Sequence, residues 1–516
     1  MLKQSLINFW LLLKRFPGTF WLLDSIEMFE RLSYYALRAL APIYIMQADN
    51  PGGLHLSASD IGIIFGVWYA VQSFLPMITG GIADRFGFKR TMVCAISVIM
   101  LGYVMIAFMR DLGFISNYAA FLSAIIVLAT GTAFFKPSIQ GALSLTMTKE
   151  TSSVGWSIFY WVVNIGGFIG PLIATWILSK GGSTAADWRN VFLAAALFTG
   201  LNLILAFRFK DIPTGASKTE ALHLVLWRTI KNLADLRLLC WLVLMSGFWM
   251  MFVQLWDLQP NTIADWVDSS AQAAWLQTHL PGFLQRLLVE QTPRGLQIPQ
   301  QVIINLNAFS IIVGVVFVGY LTRRMKTLSA MLIGMVAIII GILVAGLTVN
   351  LWVLLFGIVF FSLGEMTVGP KQSEYLSLIA PPGKKGLYLG YNNIPTGIGG
   401  LAGSLLKGYL YGNYGEKATL ALRYIAEKTN YLAAAAKTWN GKPTTLETAT
   451  GISRTDAMTK LQELTGLDAT AATRMLWETY HPHIHVWIPF AVIGIIAAFG
   501  LLIFARMARR WSDMNA

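Results

Sequence analysis

About twelve apolar runs, each near the 20 residues that a helix needs to cross a bilayer, dominate this chain and exclude most soluble folds. They fall at approximately 17–46, 58–80, 90–109, 117–146, 153–178, 187–208, 237–259, 299–321, 327–347, 351–379, 386–411 and 486–508. The expected fold is therefore an all-α membrane protein. Only 13% of the 516 residues are charged and 55% are hydrophobic, where an average soluble domain has about 25% charged. The net charge of +13 would suggest nucleic acid in a soluble protein. Here Arg85/Lys89/Arg90, Arg208/Lys210, Arg323/Arg324/Lys326, Lys384/Lys385 and Arg506/Arg509/Arg510 gather at the ends of apolar runs. That is the positive-inside pattern of a lipid-embedded chain, so no nucleic-acid partner is expected. An even number of spans places every cluster on one side with both termini, which are read as cytoplasmic.

Six spans precede and six follow a polar break. The expected organisation is a six-helix bundle over 1–208, a cytoplasmic linker over 209–236 and a second bundle over 237–516. Two stretches, 260–298 and 412–485, are too polar for the bilayer and fall on the extracytoplasmic side as an outer cap. Helices are expected there at 275–289, 418–428 and 455–480, with a break at Asn440-Gly441-Lys442-Pro443. As a surface loop the stretch from about Asn413 to Tyr480 is expected to be replaceable by a short Gly/Ser linker. The alternating His481, His483 and His485 read as interfacial side chains rather than metal ligands. Cys94 and Cys240 lie in apolar segments, so neither a disulfide framework nor a metal site is expected. Lys14-Arg15 interrupts the first apolar residues and no small-residue cleavage site follows, which reads as an uncleaved cytoplasmic tail.

The chemistry-bearing residues are those that break the apolar pattern inside a span. In the first, Glu27, Glu30, Arg31, Tyr34 and Arg38 share one helix face, because steps of three and four residues stack side chains. Holding a charge at membrane depth costs a few kcal/mol, so such a cluster marks a functional face. Two carboxylates beside an arginine can exchange one proton for an ion pair, which is what a proton-driven transporter needs. The alternative is static pairing that only holds helices together. In the fourth span Lys136 sits mid-helix beside Pro137, flanked by apolar or small residues. A snorkelling lysine is the bland alternative there. No nucleophile–base constellation or metal-ligand spacing lies in the spans, so an enzyme is not expected.

Several of these stretches resemble one family. Glu27-x-x-Glu30-Arg31-Leu32-Ser-Tyr34-Tyr35-Ala36-Leu-Arg38-Ala-Leu resembles the ExxER(F)xYYGxRAxL signature of the proton-coupled oligopeptide transporters, a branch of the major facilitator superfamily. Leu32 replaces the usual Phe and Ala36 the usual Gly. The loop motif Gly80-Gly-Ile-Ala-Asp84-Arg85-Phe-Gly87-Phe-Lys89-Arg90 resembles the superfamily's GxxxDRxGRR, a conformational latch carried by Gly80, Asp84, Arg85 and Gly87. Lys136-Pro137 matches a lysine–proline pair of the family. Phe159-Tyr160-x-x-x-Asn164-Ile-Gly166 is similar to its FYxxINxG, and Asn305-Leu-Asn307-Ala308 to its QxLNP. Gly364-Glu365 through Pro370 to Tyr375 and Ala380-Pro381 is similar to its GExxxSPxGLEF…AP run; Lys371 has no family role. Phe65-Gly66 stands where the family has Tyr-Gly. Phe248-Trp249 to Gln254 resembles FWxLxEQ, but Val253 stands where the family has an acid. Asp257, one turn later, either compensates or is a solvated helix end near the outer interface.

The resemblance implies the major facilitator fold of about 12 helices in two six-helix bundles, and proton-coupled import of di- and tripeptides by alternating access. Glu27, Glu30 and Arg31 would couple protons. Arg38 and Lys136 would take a peptide carboxylate and Glu365 its ammonium, with Asn164 and Asn307 on the amides and Tyr34, Tyr35, Trp249 and Tyr391 as walls. Protons are the coupling ion, no other cofactor is implied, and a monomer in the cell membrane is expected. Two alternatives stay open: transport of another small solute, such as nitrate or a peptide-like drug, and a non-transporting membrane sensor or scaffold.

Overall fold

The computed structural model describes residues 13–148, 151–212, 235–380, 388, 390–429, 431 and 445–508. Most of the expected linker, Lys384, Lys385, the break at 440–443, Arg509 and Arg510 lie outside the described residues. In chain order the helices of the first half are α1 (Gly18–Met46), α2 (Ala58–Phe74), α3 (Pro76–Phe86), α4 (Phe88–Phe108), α5 (Asn117–Ser144), α6 (Ser152–Leu178) and α7 (Ala185–Arg208). Next come α8 (Leu236–Phe252), α9 (Gln254–Asp257), α10 (Gln259–Trp266), α11 (Ser270–His279) and α12 (Gly282–Leu288). After them stand the strands β1 (Glu290–Thr292) and β2 (Gly295–Gln297). The rest are α13 (Gln300–Ile304), α14 (Leu306–Thr322), α15 (Thr327–Gly346), α16 (Leu351–Ile379), α17 (Asn393–Tyr414), α18 (Lys417–Lys428), α19 (Leu446–Thr450), α20 (Ala457–Thr465), α21 (Ala469–Tyr480) and α22 (Pro482–Ala508).

Ten stretches of helix, from Ala58–Ala83 to Pro482–Ala508, are long and apolar enough to cross a membrane. The first and eleventh expected spans appear as helices of 29 and 22 residues, α1 and α17. They fall outside the ten, and their composition supplies a reason. Asp24, Glu27, Glu30, Arg31 and Arg38 interrupt α1, while Gly, Tyr and Lys407 dilute α17.

The chain divides into two compact units. One holds the residues up to Leu37, Ala70–Pro171 and Arg189–Leu239; the other holds Arg38–Tyr69, Leu172–Trp188 and the residues from Cys240 onward. In the first unit α4 and α5 approach closely through small residues, as membrane helices do. A Cβ on Gly131 would stand 2.8 Å from the Ile99 nitrogen, and one on Gly102 would stand 3.0 Å from the Leu128 Cα. In the second unit α2 and α17 do the same. A Cβ on Gly62 would meet the Ser404 carbonyl at 2.7 Å, and one on Gly408 the Ala58 carbonyl at 2.7 Å.

The cap departs from expectation in its elements and in its packing. The helix expected at 275–289 is two, α11 and α12, because Pro281 has no N–H to continue the ladder and initiates α12 instead. It is followed by an unexpected hairpin in which Glu290 pairs with Gln297 and Thr292 with Gly295. The helix expected at 455–480 is also two: Gly466 (φ +69°) ends α20 in the left-handed region, and Asp468 caps α21 through the Ala471 N–H.

The 412–485 segment is also packed more firmly than a bare surface loop. It has its own apolar core of Leu420, Ala421, Ile425, Leu461, Ala472 and Leu476, and Trp266 from α10 is buried in it. The Trp266 indole donates to the Gly415 carbonyl at 2.9 Å. Arg454 pairs with Glu416 and donates to the carbonyls of Leu56 and Met46, both at 3.2 Å. Burial raises the Glu416 carboxyl above its ordinary value, although Arg454 pulls it back. At the same junction Lys417 stands 3.5 Å from Asp49. Burial alone would raise Asp49; Lys417, Gln47 and Arg294 hold it below its ordinary value. Cutting at Asn413 would strip these partners from the outer ends of α1 and α10. Trp266→Ala should therefore lower local cap stability by about 3–5 kcal/mol, read as a lower thermal midpoint and faster proteolysis within 415–480. Unchanged proteolysis would show that the indole is not structural.

Candidate functional site

Within the first unit, α1 turns its charged face inward. Glu27, Glu30 and Arg31 are all at most 4% exposed. Glu27 Oε1 stands 3.2 Å from Arg31 Nε, and Glu30 pairs with the same guanidinium. One oxygen of each acid, Glu27 Oε2 and Glu30 Oε1, receives no hydrogen bond among the described residues. Arg31 also covers the Tyr34 ring at 4.7 Å. Lys136 of α5 lies within electrostatic reach of Arg31, Glu30 and Glu27. Two carboxylates share one guanidinium, so either acid can take up or release a proton while Arg31 stays paired with the other.

The neighbouring elements fix this geometry. α6 presses on α1 at Gly166, where a Cβ would meet the Met28 carbonyl at 2.6 Å and the Arg31 Cβ at 2.9 Å. Gly167 faces the Tyr35 ring, and Tyr34 and Tyr35 pack edge to face at 5.3 Å. Asn164, two residues earlier, donates to its own helix at the Tyr160 carbonyl, 2.8 Å away, and Tyr34 donates to Gln72 at 3.3 Å. Gly166→Ala should push α6 off Arg31. Overpacking of this kind costs about 1–3 kcal/mol, so a lower melting midpoint together with reduced transport is expected. Unchanged transport would show that the contact yields.

In the second unit, Arg38 and Asp257 form a buried ion pair. Asp257 is fully buried, which corrects the solvated-helix-end reading. Its Oδ1 also accepts from Tyr69 at 3.2 Å and its Oδ2 from Ser404 at 3.0 Å. The Arg38 guanidinium thus holds a protein carboxylate in this structure, where the sequence reading gave it a peptide's. Val253 is the residue at which α8 gives way to α9, and the turn that follows carries the acid inward. Lys407, which the sequence reading passed over, is fully buried on α17 one turn beyond Ser404. Its ammonium lies 5.2 Å from the Phe65 ring centroid, and the Arg38 guanidinium lies 4.4 Å from that centroid.

Glu365 on α16 accepts from Asn307 Nδ2 at 2.8 Å, and the same amide donates to Ser362 at 3.0 Å. Trp249 donates to Gln372 at 3.3 Å, and Tyr391 is buried against Tyr388. Lys371 forms an ion pair with Glu374 at 2.8 Å.

The loop motif ends α3. Gly87 has φ +93°, a conformation that favours glycine, and a Cβ there would collide with the Asp211 carboxylate. Asp211 accepts from the Lys89 N–H at 3.2 Å, and the Lys89 amine donates to the Phe207 carbonyl at 2.8 Å. The motif therefore fastens to the end of α7 through Lys89 and Asp211, with Gly87 against the same carboxylate. Gly80 faces Pro137 at 3.8 Å, Arg85 is exposed, and the Asp84 side chain lies outside the described part.

A cavity of about 590 Å³ lies elsewhere in the second unit, lined by Asp49, Trp188, Glu290, Arg294 and Gln300 among others. None of the sequence-predicted site residues lines it.

A profile of the Major Facilitator Superfamily matches residues 25–285 and 291–426. Over 205 residues the chain is 29% identical to the uncharacterized transporter YclF of Bacillus subtilis (strain 168), covering 38% of this chain and 40% of that one. It is 27% identical over 198 residues to the dipeptide and tripeptide permease A of Serratia proteamaculans (strain 568), covering 37% and 36% respectively. It is also 23% identical over 353 residues to the multidrug resistance protein MdtH of a Yersinia enterocolitica strain, covering 68% and 77%. Among solved structures, the peptide transporter POT in complex with sulfate matches 96% of this chain and 95% of its own, with TM-score 0.63 and 16% identity. The nucleoside transporter NupG, as a variant, matches 94% and 100%, with TM-score 0.63 and 11% identity. With its profile matched over most of its length, the chain belongs to the Major Facilitator Superfamily and is a multi-pass membrane transporter.

Proposed function

We propose that this transporter is a proton-coupled symporter that imports di- and tripeptides by alternating access, as a member of the oligopeptide-transporter branch. The observation that carries this reading is the buried Glu27/Glu30/Arg31 network, in which each acid keeps an oxygen open to a proton. When Glu27 or Glu30 takes up a proton, Arg31 keeps the other carboxylate; when the proton leaves, the pair re-forms. In both states Arg31 therefore stays paired with a carboxylate at membrane depth. Lys136 offers a cation to a substrate carboxylate. Glu365, oriented by Asn307, offers an anion to an ammonium. The similarity to a dipeptide and tripeptide permease supports the same substrate class.

A second reading, transport of a different small solute, draws on two observations. Val253 stands where the peptide-transporting family has an acid, and Arg38 is occupied by Asp257. The resemblance to MdtH and NupG points the same way. Uptake of radiolabelled peptides, nitrate and nucleosides into proteoliposomes, with and without an inward proton gradient, separates the two. Gradient-stimulated accumulation of peptides alone supports the proposal; accumulation of only a non-peptide solute replaces it.

A further inference from the structure

The acids on α1 do not end at Glu27. Asp24 lies one turn nearer the cytoplasmic end of the same helix, on the face that carries Glu27 and Arg31, because steps of three and seven residues return to one side. It is 2% exposed. Neither of its carboxylate oxygens receives a hydrogen bond among the described residues. Arg31 is two turns away and already engaged by Glu27 and Glu30. A carboxyl group that receives no donor in an apolar interior is far better accommodated with its proton on.

The rest of the helix end explains how such a proton would be kept. Asp24 sits six residues in from Gly18, roughly 9 Å along the axis at 1.5 Å per residue. Phe16 and Phe20, both buried, stack at 4.2 Å, and Phe20 meets Trp21 edge-on at 5.2 Å. This aromatic cluster precedes Asp24 on the cytoplasmic side.

We propose that Asp24 is a further proton-carrying residue of this transporter, the station through which Glu27 passes its proton toward the cytoplasm. Asp24 first gives its proton to water admitted past Phe16 and Phe20 when that helix end opens; the proton then leaves a Glu27 carboxyl oxygen and binds the Asp24 carboxylate, and Glu27, now a carboxylate, completes its pair with Arg31. The proposal rests on the proton-coupled reading above and adds a residue to it.

The test uses Asp24→Asn, Asp24→Glu and Glu27→Gln in full-length protein reconstituted into proteoliposomes, with uptake and peptide counterflow measured side by side. Asp24→Asn should cut gradient-driven uptake at least tenfold and leave counterflow within about twofold of the parent. Asp24→Glu, which still carries a proton, should restore most of the uptake. A melting curve in detergent within a few degrees of the parent shows that Asp24→Asn is folded; if it is not, the Asp24→Glu variant decides by its solvent deuterium isotope effect, which should exceed the parent's. Uptake by Asp24→Asn equal to the parent, while Glu27→Gln has lost it, overturns the Asp24 assignment alone. Gradient-driven uptake retained by Glu27→Gln overturns the coupling reading itself.

Discussion

Gradient-driven uptake should disappear when Glu27 or Glu30 is replaced by Gln, while gradient-free counterflow of the same peptide partly survives. Exchange needs the substrate site to move across the membrane but transfers no net proton, so only the uphill process depends on a titrating carboxyl. Gln keeps the size of Glu and can still accept a hydrogen bond from Arg31, so packing against α6 at Gly166 should hold. What it removes is the acid–base step. The two acids share one guanidinium, so their effects should not add: the double Gln variant should lose no more coupling than either single one. Full uphill uptake by both single variants would leave the cluster as a static clamp between helices.

The next largest effect is expected at Lys136 and Glu365. Each is a charge held within the apolar spans, and truncating one partner of a desolvated charge interaction costs on the order of 2 kcal/mol or more. Lys136→Ala and Glu365→Ala should each lower peptide affinity or turnover at least tenfold. Their signatures should differ with substrate chemistry. Lys136→Ala should discriminate less against peptides with a blocked carboxyl terminus, and Glu365→Ala less against peptides with a blocked amino terminus. Unchanged kinetics in both variants would assign the two residues to structure.

The spans were legible because bilayer thickness fixes their length, and the α1 cluster because charge in an apolar run has few innocent explanations. The same rule explains the misses. Asp257 looked like a helix end because it follows the last apolar residues of its span; only the fold shows α9 and α10 continuing inward and Arg38 meeting it. Lys407 was present in the sequence as a lone charge in a long helix, the very signal used for Lys136, and Asp24 as one more acid on the charged first helix, but no motif drew attention to them. The packing of the cap was not legible for a different reason. Its amphipathic periodicity is that of any surface helix, and nothing local announces that Trp266, distant in sequence, completes its core. Breaks at Pro281 and Gly466 were readable from residue type and were overrun by reading periodicity alone.

The central claim is that solute and proton cross together through the α1 acids. The most direct measurement is of both fluxes in one vesicle: purified protein in proteoliposomes loaded with a pH-sensitive dye, given a dipeptide outside and an inside-negative potential. The account predicts lumenal acidification that begins with peptide addition, scales with peptide uptake and vanishes in Glu27→Gln. Peptide uptake with no accompanying acidification, or acidification that persists in Glu27→Gln, would contradict it.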